Sequence, residues 1–419
     1  MLRTFKSKDI QSRKSVGAVL LLLLFIATAL AWTRTATMAQ KVPNRITQAA
    51  FVPGRILVQF HSQTPAYRAR SIVLSHGAHI SQEIPKIGVQ VVELPDGANE
   101  AEAVKAFAAL PEVEFAELDW LFRPDDITPD DPNYSSEWYL KTISAPAAWS
   151  VTTGSSDVII AIIDTGVDST HPDLSSKIVP GWNFANNNSD TSDVYGHGTA
   201  VAGAAAASSN NGTGVASVAW GCLILPVRVS DTQGNAPASL IANGLRWAAD
   251  NGARVANISY NVSGNATVSN AAKYFQQAGG VVTVSAGNDA AFISSQDNRY
   301  VLTVSATDNL DNSAYYTNTG NNIDLSAPGS VIYTTLSGGG YGYASGTSFS
   351  APIVAGVAAL VMSANSSLTP TKVQDTLKQS ADDKGPAGWD PRYGSGRVNA
   401  AAAVTLALAQ AGSPRPPHR

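Results

Sequence analysis

A chain of 419 residues that is 44% hydrophobic and 14% charged has enough apolar material for a core of two or more domains, which excludes an extended disordered or fibrous protein. Its 28 Lys and Arg against 32 Asp and Glu leave a net charge of −4 and no basic field for tracking nucleic acid, so nucleic acid is not an expected partner. Cys222 is its one cysteine, so it can form no internal disulfide and no cage of several thiolates; stability has to come from packing or bound ions.

At the N-terminus, Arg3, Lys6, Lys8, Arg13 and Lys14 precede an apolar run from Val16 to Trp32, with small residues at Ala29-Leu30-Ala31 and Thr37-Met38-Ala39. Residues 1–39 therefore read as a secretory signal, cleaved or retained as an anchor, and the body is expected to be secreted. An exported chain without disulfides needs another source of robustness, and bound calcium, plentiful outside cells, is the expected one.

From Arg55 the runs RILVQF, Ala66–His76, HISQEI, Val89–Leu94, Glu100–Leu110 and Val113–Leu118 give the order β-α-β-β-α-β, a small ferredoxin-like unit. A unit of about 70 residues is marginal alone and is expected to lean on a partner surface. Residues 1–123 carry 14 basic and 10 acidic side chains, whereas 124–419 carry 14 and 22, so a boundary falls near residue 123. The stretch Asp125–Pro132, dense in Asp and Pro, reads as a linker.

The body alternates apolar strand-like runs with helical ones: 158–163, His197–Ala207, 223–229, Ser239–Asn251, 255–259, Val268–Ala278, 281–285 and 301–306. Near-continuous apolar strands separated by helices predict a parallel sheet covered on both faces, with ligands bound beyond the carboxyl ends of the strands. Asp164, Ser259 and Ser285-Ala286-Gly287-Asn288 follow three of those strands.

Of the six histidines, only His171 and His197 lie in the body, so any histidine base is one of these two. His197 opens a helix between Gly196 and Gly198, which let the backbone come close to other groups, while His171 sits in the turn H-P-D-L. Asp164 ends an apolar strand, where a carboxylate is costly to bury unless a donor such as a histidine N–H meets it. Ser348 lies in G-T-S-F-S-A-P, just before a helix expected to start near Ser350 with Pro352 in its first turn. There a helix N-terminus would favour a developing oxyanion, and Asn288 offers a side-chain donor at the same edge of the sheet. Ser350 would serve equally well as a plain cap. Taken singly each residue has an ordinary structural reading; taken together they supply an orienting carboxylate, a general base, a nucleophile and an oxyanion donor.

The segments D-T-G-V-D, H-G-T-A-V-A-G, S-A-G-N and G-T-S-F-S-A-P resemble the four signature segments of subtilisin-like serine proteases, in that family's chain order Asp, His, Ser. The resemblance covers about residues 127–405 and is nearest to the thermitase branch. It implies a three-layer α/β/α domain with a mostly parallel sheet, preceded by the ferredoxin-like α+β unit as an inhibitory propeptide. The domain plan that follows is a signal over 1–39, a propeptide with linker over 40–126, a peptidase domain over 127–410 and a disordered tail over 411–419. The activity implied is a serine endopeptidase, made as an autoprocessed zymogen and acting as a monomer on proteins or peptides. Asp164 would orient His197, His197 would take the Ser348 proton, and Asn288 with the Ser348 backbone N–H would form the oxyanion hole.

By the same resemblance the segment ending in Ser259, Tyr260 and Asn261 pairs with an extended substrate, and Ser285, Ala286 and Gly287 line the pocket for the side chain before the scissile bond. Tyr260-Asn261-Val262 stands where the family usually has Leu-Gly-Gly, and Ala200, Phe349 and Ile353 replace a common His, Met and His. A structural Ca²⁺ is implied at Asp131, Asp173, the Asn211 amide and the carbonyls of Ser208, Thr213 and Val215, a set of hard oxygen ligands. A dinucleotide site is not supported, because the first strand is followed by D-T-G-V-D without G-x-G-x-x-G. A scaffold that has lost turnover is hard to sustain when every catalytic position holds the required residue type.

Overall fold

The computed structural model describes residues 51–120 and 126–410; the expected signal, residues 40–50 of the expected propeptide, 121–125 and the expected tail lie outside the described residues. The chain divides into two compact units between Arg123 and Pro124.

In the first unit, β1 (Phe51–Phe60), α1 (Ala66–Ser75), β2 (His79–Ile84), β3 (Val89–Glu93), α2 (Glu100–Ala108) and β4 (Val113–Trp120) follow the predicted order. The antiparallel sheet runs β2-β3-β1-β4, the ferredoxin-like arrangement. Helix α2 starts where Asn99 accepts the Glu102 N–H at 3.1 Å, and Glu100 in its first turn accepts the Gly54 N–H at 2.8 Å, joining helix to strand. A small core forms around Ile56, Val58, Val73, Val92 and Phe107.

The second unit opens with two short helices, α3 (Trp138–Thr142) and α4 (Ala145–Trp149). Then come β5 (Ile159–Asp164), β6 (Trp182–Asn183), α5 (His197–Ala206), β7 (Leu223–Arg228), α6 (Ala238–Asp250), β8 (Ala253–Ile258), α7 (Ala266–Gln277) and β9 (Val281–Ser285). The rest is β10 (Phe292–Ile293), β11 (Leu302–Thr307), β12 (Thr319–Gly320), β13 (Leu325–Pro328), β14 (Ile332–Leu336), β15 (Gly340–Ala344), α8 (Thr347–Ala364), α9 (Pro370–Gln379) and α10 (Ala400–Ala409). Seven strands form one sheet in the order β13-β11-β9-β8-β5-β7-β6, with parallel pairing throughout.

The apolar run of β5 explains the layering. Ile160 and Ile162 join a core shared with α4, α5, α8 and α10, whereas Ala161 and Ile163 join the one under α6 and α7. A strand buried on both faces has to be apolar at every position, which is why it does not alternate. β7 is added on one side of β5 and β8 on the other, so the side of strand addition switches at β5 and leaves a crevice at the carboxyl ends of β5 and β8.

Helix α8 departs from expectation. It starts at Thr347, capped by Gly346, so Ser348 lies inside the first turn rather than before the helix, and Pro352 falls in the second turn. Ser350 is no cap, because its hydroxyl donates to the carbonyls of Ala327 (3.0 Å) and Pro328 (3.2 Å). Packing outweighs the proline signal: the helix is apolar and long enough to cross a membrane, yet 89% of it is buried as the central helix of the unit.

Candidate active site

Asp164 is the last residue of β5 and is fully buried. Its Oδ1 accepts the Thr165 N–H at 2.8 Å and lies 2.7 Å from His197 Nδ1. That approach requires the start of α5 to lie almost on the strand end. A side chain at Gly198 would collide with the Gly166 carbonyl and come within 3.0 Å of Asp164 Cβ. Burial alone would lower the pKa of His197, but the Asp164 charge and hydrogen bond, with Asp193 adding, raise it above the ordinary value of 6.5. His171 takes a different part: its Nδ1 accepts the Asp173 N–H at 3.1 Å while Nε2 meets the Gly340 carbonyl at 2.9 Å, so both ring nitrogens are used to hold loops.

Ser348 reaches the same crevice from α8, where the neighbouring Phe349 ring lies 5.9 Å from that of His197. Its Oγ donates to the Ser259 carbonyl at 3.3 Å rather than to His197. In turn Ser259 Oγ donates to the Ser348 carbonyl at 2.9 Å. That carbonyl is free because its helical partner would be the N–H that Pro352 lacks.

Asn288 follows β9, and its Oδ1 accepts both the N–H and the hydroxyl of Thr347, each at 2.9 Å. This fixes the amide so that Nδ2 is left for another acceptor. Gly346, at φ +148, has no side chain where a Cβ would stand 3.3 Å from Asn288 Nδ2 and 3.7 Å from the Ser348 nitrogen. The two donors therefore flank one open point.

Around this point, Ser259-Tyr260-Asn261 continues beyond β8 and Ser285-Ala286-Gly287 spans the end of β9. The two segments face one another, since a Cβ on Gly287 would fall 2.8 Å from Asn261 Nδ2. Asn318, fully buried, holds the second segment through Nδ2 to the Ala286 carbonyl at 3.1 Å. Tyr260 donates to the Gly234 carbonyl at 3.2 Å, which ties the first segment to the loop after β7. Thr165, Thr347 and Asn318 were not identified as site residues from sequence. Thr165 and Thr347 adjoin triad candidates in D-T-G and G-T-S, and that adjacency was the available signal; Asn318 has no local motif.

Asp131, Asp173 and Asn211 also come together. Asp131 accepts the N–H groups of Asn210 (2.7 Å) and Asn211 (3.3 Å), and Asp173 accepts Asn211 Nδ2 (3.2 Å) and the Val215 N–H (2.9 Å). Both carboxylates are buried, and burial with the charges of Asp173 and Asp130 pushes the Asp131 carboxyl up. Ser208 donates its N–H to the Asp173 carbonyl at 2.8 Å, and Thr213 donates its N–H to Asn211 Oδ1 at 2.9 Å. The Asn211 amide thus turns its nitrogen toward Asp173, where the expected ligand set needs its oxygen. Among the described residues no three acidic, His or Cys side chains converge as a metal site. Two buried carboxylates held by N–H donors in an oxygen-rich loop fit a hard cation such as Ca²⁺.

Comparison with known proteins agrees with this geometry. The subtilase family profile matches residues 155–396, and that of the fervidolysin N-terminal prodomain matches residues 37–119. The chain is 38% identical over 362 residues to a thermophilic serine proteinase of Bacillus sp. (strain AK1), covering 85% of this chain and 89% of the relative. It is 41% identical over 281 residues to thermitase of Thermoactinomyces vulgaris, covering 66% of this chain and 99% of the relative. Among solved structures, a protease from Pseudoalteromonas arctica PAMC 21717 superposes with a TM-score of 0.61 at 34% identity, covering 67% of this chain and all of that one. This chain belongs to the subtilase family of serine peptidases, of the thermitase-like kind, with an N-terminal prodomain.

Proposed function

We propose that the protein is an exported, calcium-stabilised endopeptidase that matures by its own action and cleaves peptide bonds through an acyl-enzyme on Ser348. The observation that carries this reading is the 2.7 Å contact of Asp164 with His197 Nδ1 in the crevice that Ser348 enters from α8. Asp164 holds the imidazole so that Nε2 faces the nucleophile, and a turn of the Ser348 side chain away from the Ser259 carbonyl brings Oγ to it. Nε2 takes the Oγ proton as Oγ attacks the carbonyl carbon, and the oxyanion so formed accepts from Asn288 Nδ2 and the Ser348 N–H. Collapse breaks the C–N bond, His197 returns the proton to the leaving amine, and water then releases the acyl group by the same route.

Backbone pairing with Ser259–Asn261 suits extended peptides of many sequences, while Ser285–Gly287 supplies the pocket for one side chain. Calcium bound by Asp131, Asp173 and the Ser208–Val215 loop would neutralise two buried carboxylates and hold that loop. The 40–126 segment acts as the inhibitory propeptide, consistent with the prodomain match, and the basic and apolar N-terminus supports export. The test compares the full precursor with Ser348→Ala in calcium, by intact mass and by hydrolysis of a protein substrate. Loss of the N-terminal segment and proteolysis in the wild type alone are expected; identical behaviour of the two overturns the assignment.

A further inference from the structure

Asp193, four residues before His197, is outside the triad yet is the most heavily bonded carboxylate near it. Its Oδ1 accepts the Thr165 hydroxyl at 2.7 Å, the Tyr195 N–H at 3.1 Å and the Gly196 N–H at 2.8 Å. Its Oδ2 accepts both the N–H (2.8 Å) and the hydroxyl (2.5 Å) of Thr199. The ring closes through Thr165, which follows Asp164 in the chain and whose hydroxyl accepts the Gly198 N–H at 2.9 Å. A single carboxylate thus gathers donors from the strand end that carries Asp164 and from the first turn of the helix that carries His197. A negative charge there also satisfies N–H groups that a helix start leaves without partners.

We propose that Asp193 is a positioning residue for proton transfer, clamping the His197 end of α5 onto the end of β5 and keeping a second negative charge behind the imidazole. This rests on the reading of His197 as the general base. The groups facing His197 are few. β5 presents Asp164 and the preceding loop presents Asp193, both raising the His197 value; α8 presents neutral Ser348 and Phe349. Tyr260, beyond β8, is held neutral because burial and the charges of Asp164 and Asp193 push its phenol up. In Asp193→Asn the amide oxygen can retain the Oδ1 partners, but the amide nitrogen then faces the Thr199 N–H, donor against donor, and the charge is gone.

The experiment measures kcat and KM against pH for the mature wild type, Asp193→Asn and Asp193→Glu. For Asp193→Asn, kcat is expected to fall by about 10²-fold, the scale of a small misplacement of a catalytic group, with KM little changed. The acid limb of kcat/KM is expected to move to lower pH, and Asp193→Glu, which keeps the charge, to hold it near the wild-type position. A fall in kcat with the limb unmoved in Asp193→Asn means a structural role only and overturns the proposal, as does unchanged kcat. Should Asp193→Asn fail to mature, the His197 ring is titrated by NMR in the uncleaved Ser348→Ala precursor with and without Asp193→Asn, its signal assigned by loss in His197→Ala. A lower midpoint without the carboxylate is expected, and equal midpoints overturn the proposal. Proteolysis persisting in Ser348→Ala would instead remove the triad reading, leaving the titration as a separate result.

Discussion

Ser259 and Ser348 exchange hydrogen bonds in both directions, Ser259 Oγ to the Ser348 carbonyl at 2.9 Å and Ser348 Oγ to the Ser259 carbonyl at 3.3 Å, across 89 residues of sequence. Pro352 makes the first bond available by leaving the Ser348 carbonyl without its helical donor. The pair joins the substrate-facing segment after β8 to the helix start that carries the nucleophile, so backbone positions on both sides of the crevice are set together.

The open point between Asn288 Nδ2 and the Ser348 N–H leads to a prediction about kcat. Removing one oxyanion donor from a subtilisin costs on the order of 10²–10³ in kcat, and Asn288→Ala is expected to lose the same order with KM nearly unchanged. Gly346→Ala, which places a methyl group 3.3 Å from Asn288 Nδ2, is expected to depress kcat as well. Steady-state kinetics on a peptide amide checks both, and a rise in KM without loss of kcat would contradict them.

Glu137 leads to a prediction about pH. It is buried, accepts the Ala216 N–H at 2.8 Å and lies 3.1 Å from the Tyr139 hydroxyl, and burial pushes its carboxyl from 4.5 up to about 9. A raised folded value means that the unfolded chain loses this proton first, so stability is full below pH 4.5 and falls as pH rises toward about 9. Glu137→Gln, which resembles the protonated acid, is expected to flatten that decline. Melting of the Ser348→Ala precursor without calcium should give a higher Tm for the Gln variant at alkaline pH and little difference in acid.

Calcium removal is expected to lower Tm and hasten autolysis. A site held at a hundredfold excess of ligand over Kd contributes about 2.7 kcal/mol, and that increment should vanish on chelation. In Asp131→Asn the difference in Tm between calcium and chelator is expected to shrink sharply, because one of two buried carboxylates facing the loop is neutralised. Equal calcium responses in the variant and the wild type would place the ion elsewhere.

Phe349, 5% exposed beside His197, puts an aromatic ring next to the nucleophile where a thioether would be open to oxidation. Met362, only 2% exposed, is the one methionine among the described residues. Activity is therefore expected to survive peroxide, while Phe349→Met should lose activity progressively. Residual activity against time in peroxide separates the two.

The order of strands and helices was legible in the sequence because uninterrupted apolar runs such as Ile159–Ile163 and helical segments such as Ala266–Gln277 are set by local spacing. The four motif segments were legible too, since Asp164 ends a strand, Asn288 follows one, and His197 and Ser348 stand at helix starts. What the sequence could not place was the partner of each polar group. Whether Ser348 precedes or enters α8 was decided by the burial of the whole helix, which overrides the start that Pro352 signals near Ser350. Which face Asn211 turns toward Asp173, and the gathering of Thr165 and Thr199 by Asp193, were decided by register between elements far apart in the chain. Periodicity is a property of neighbouring residues, whereas a hydrogen bond between distant ones exists only after the sheet and its helices have packed.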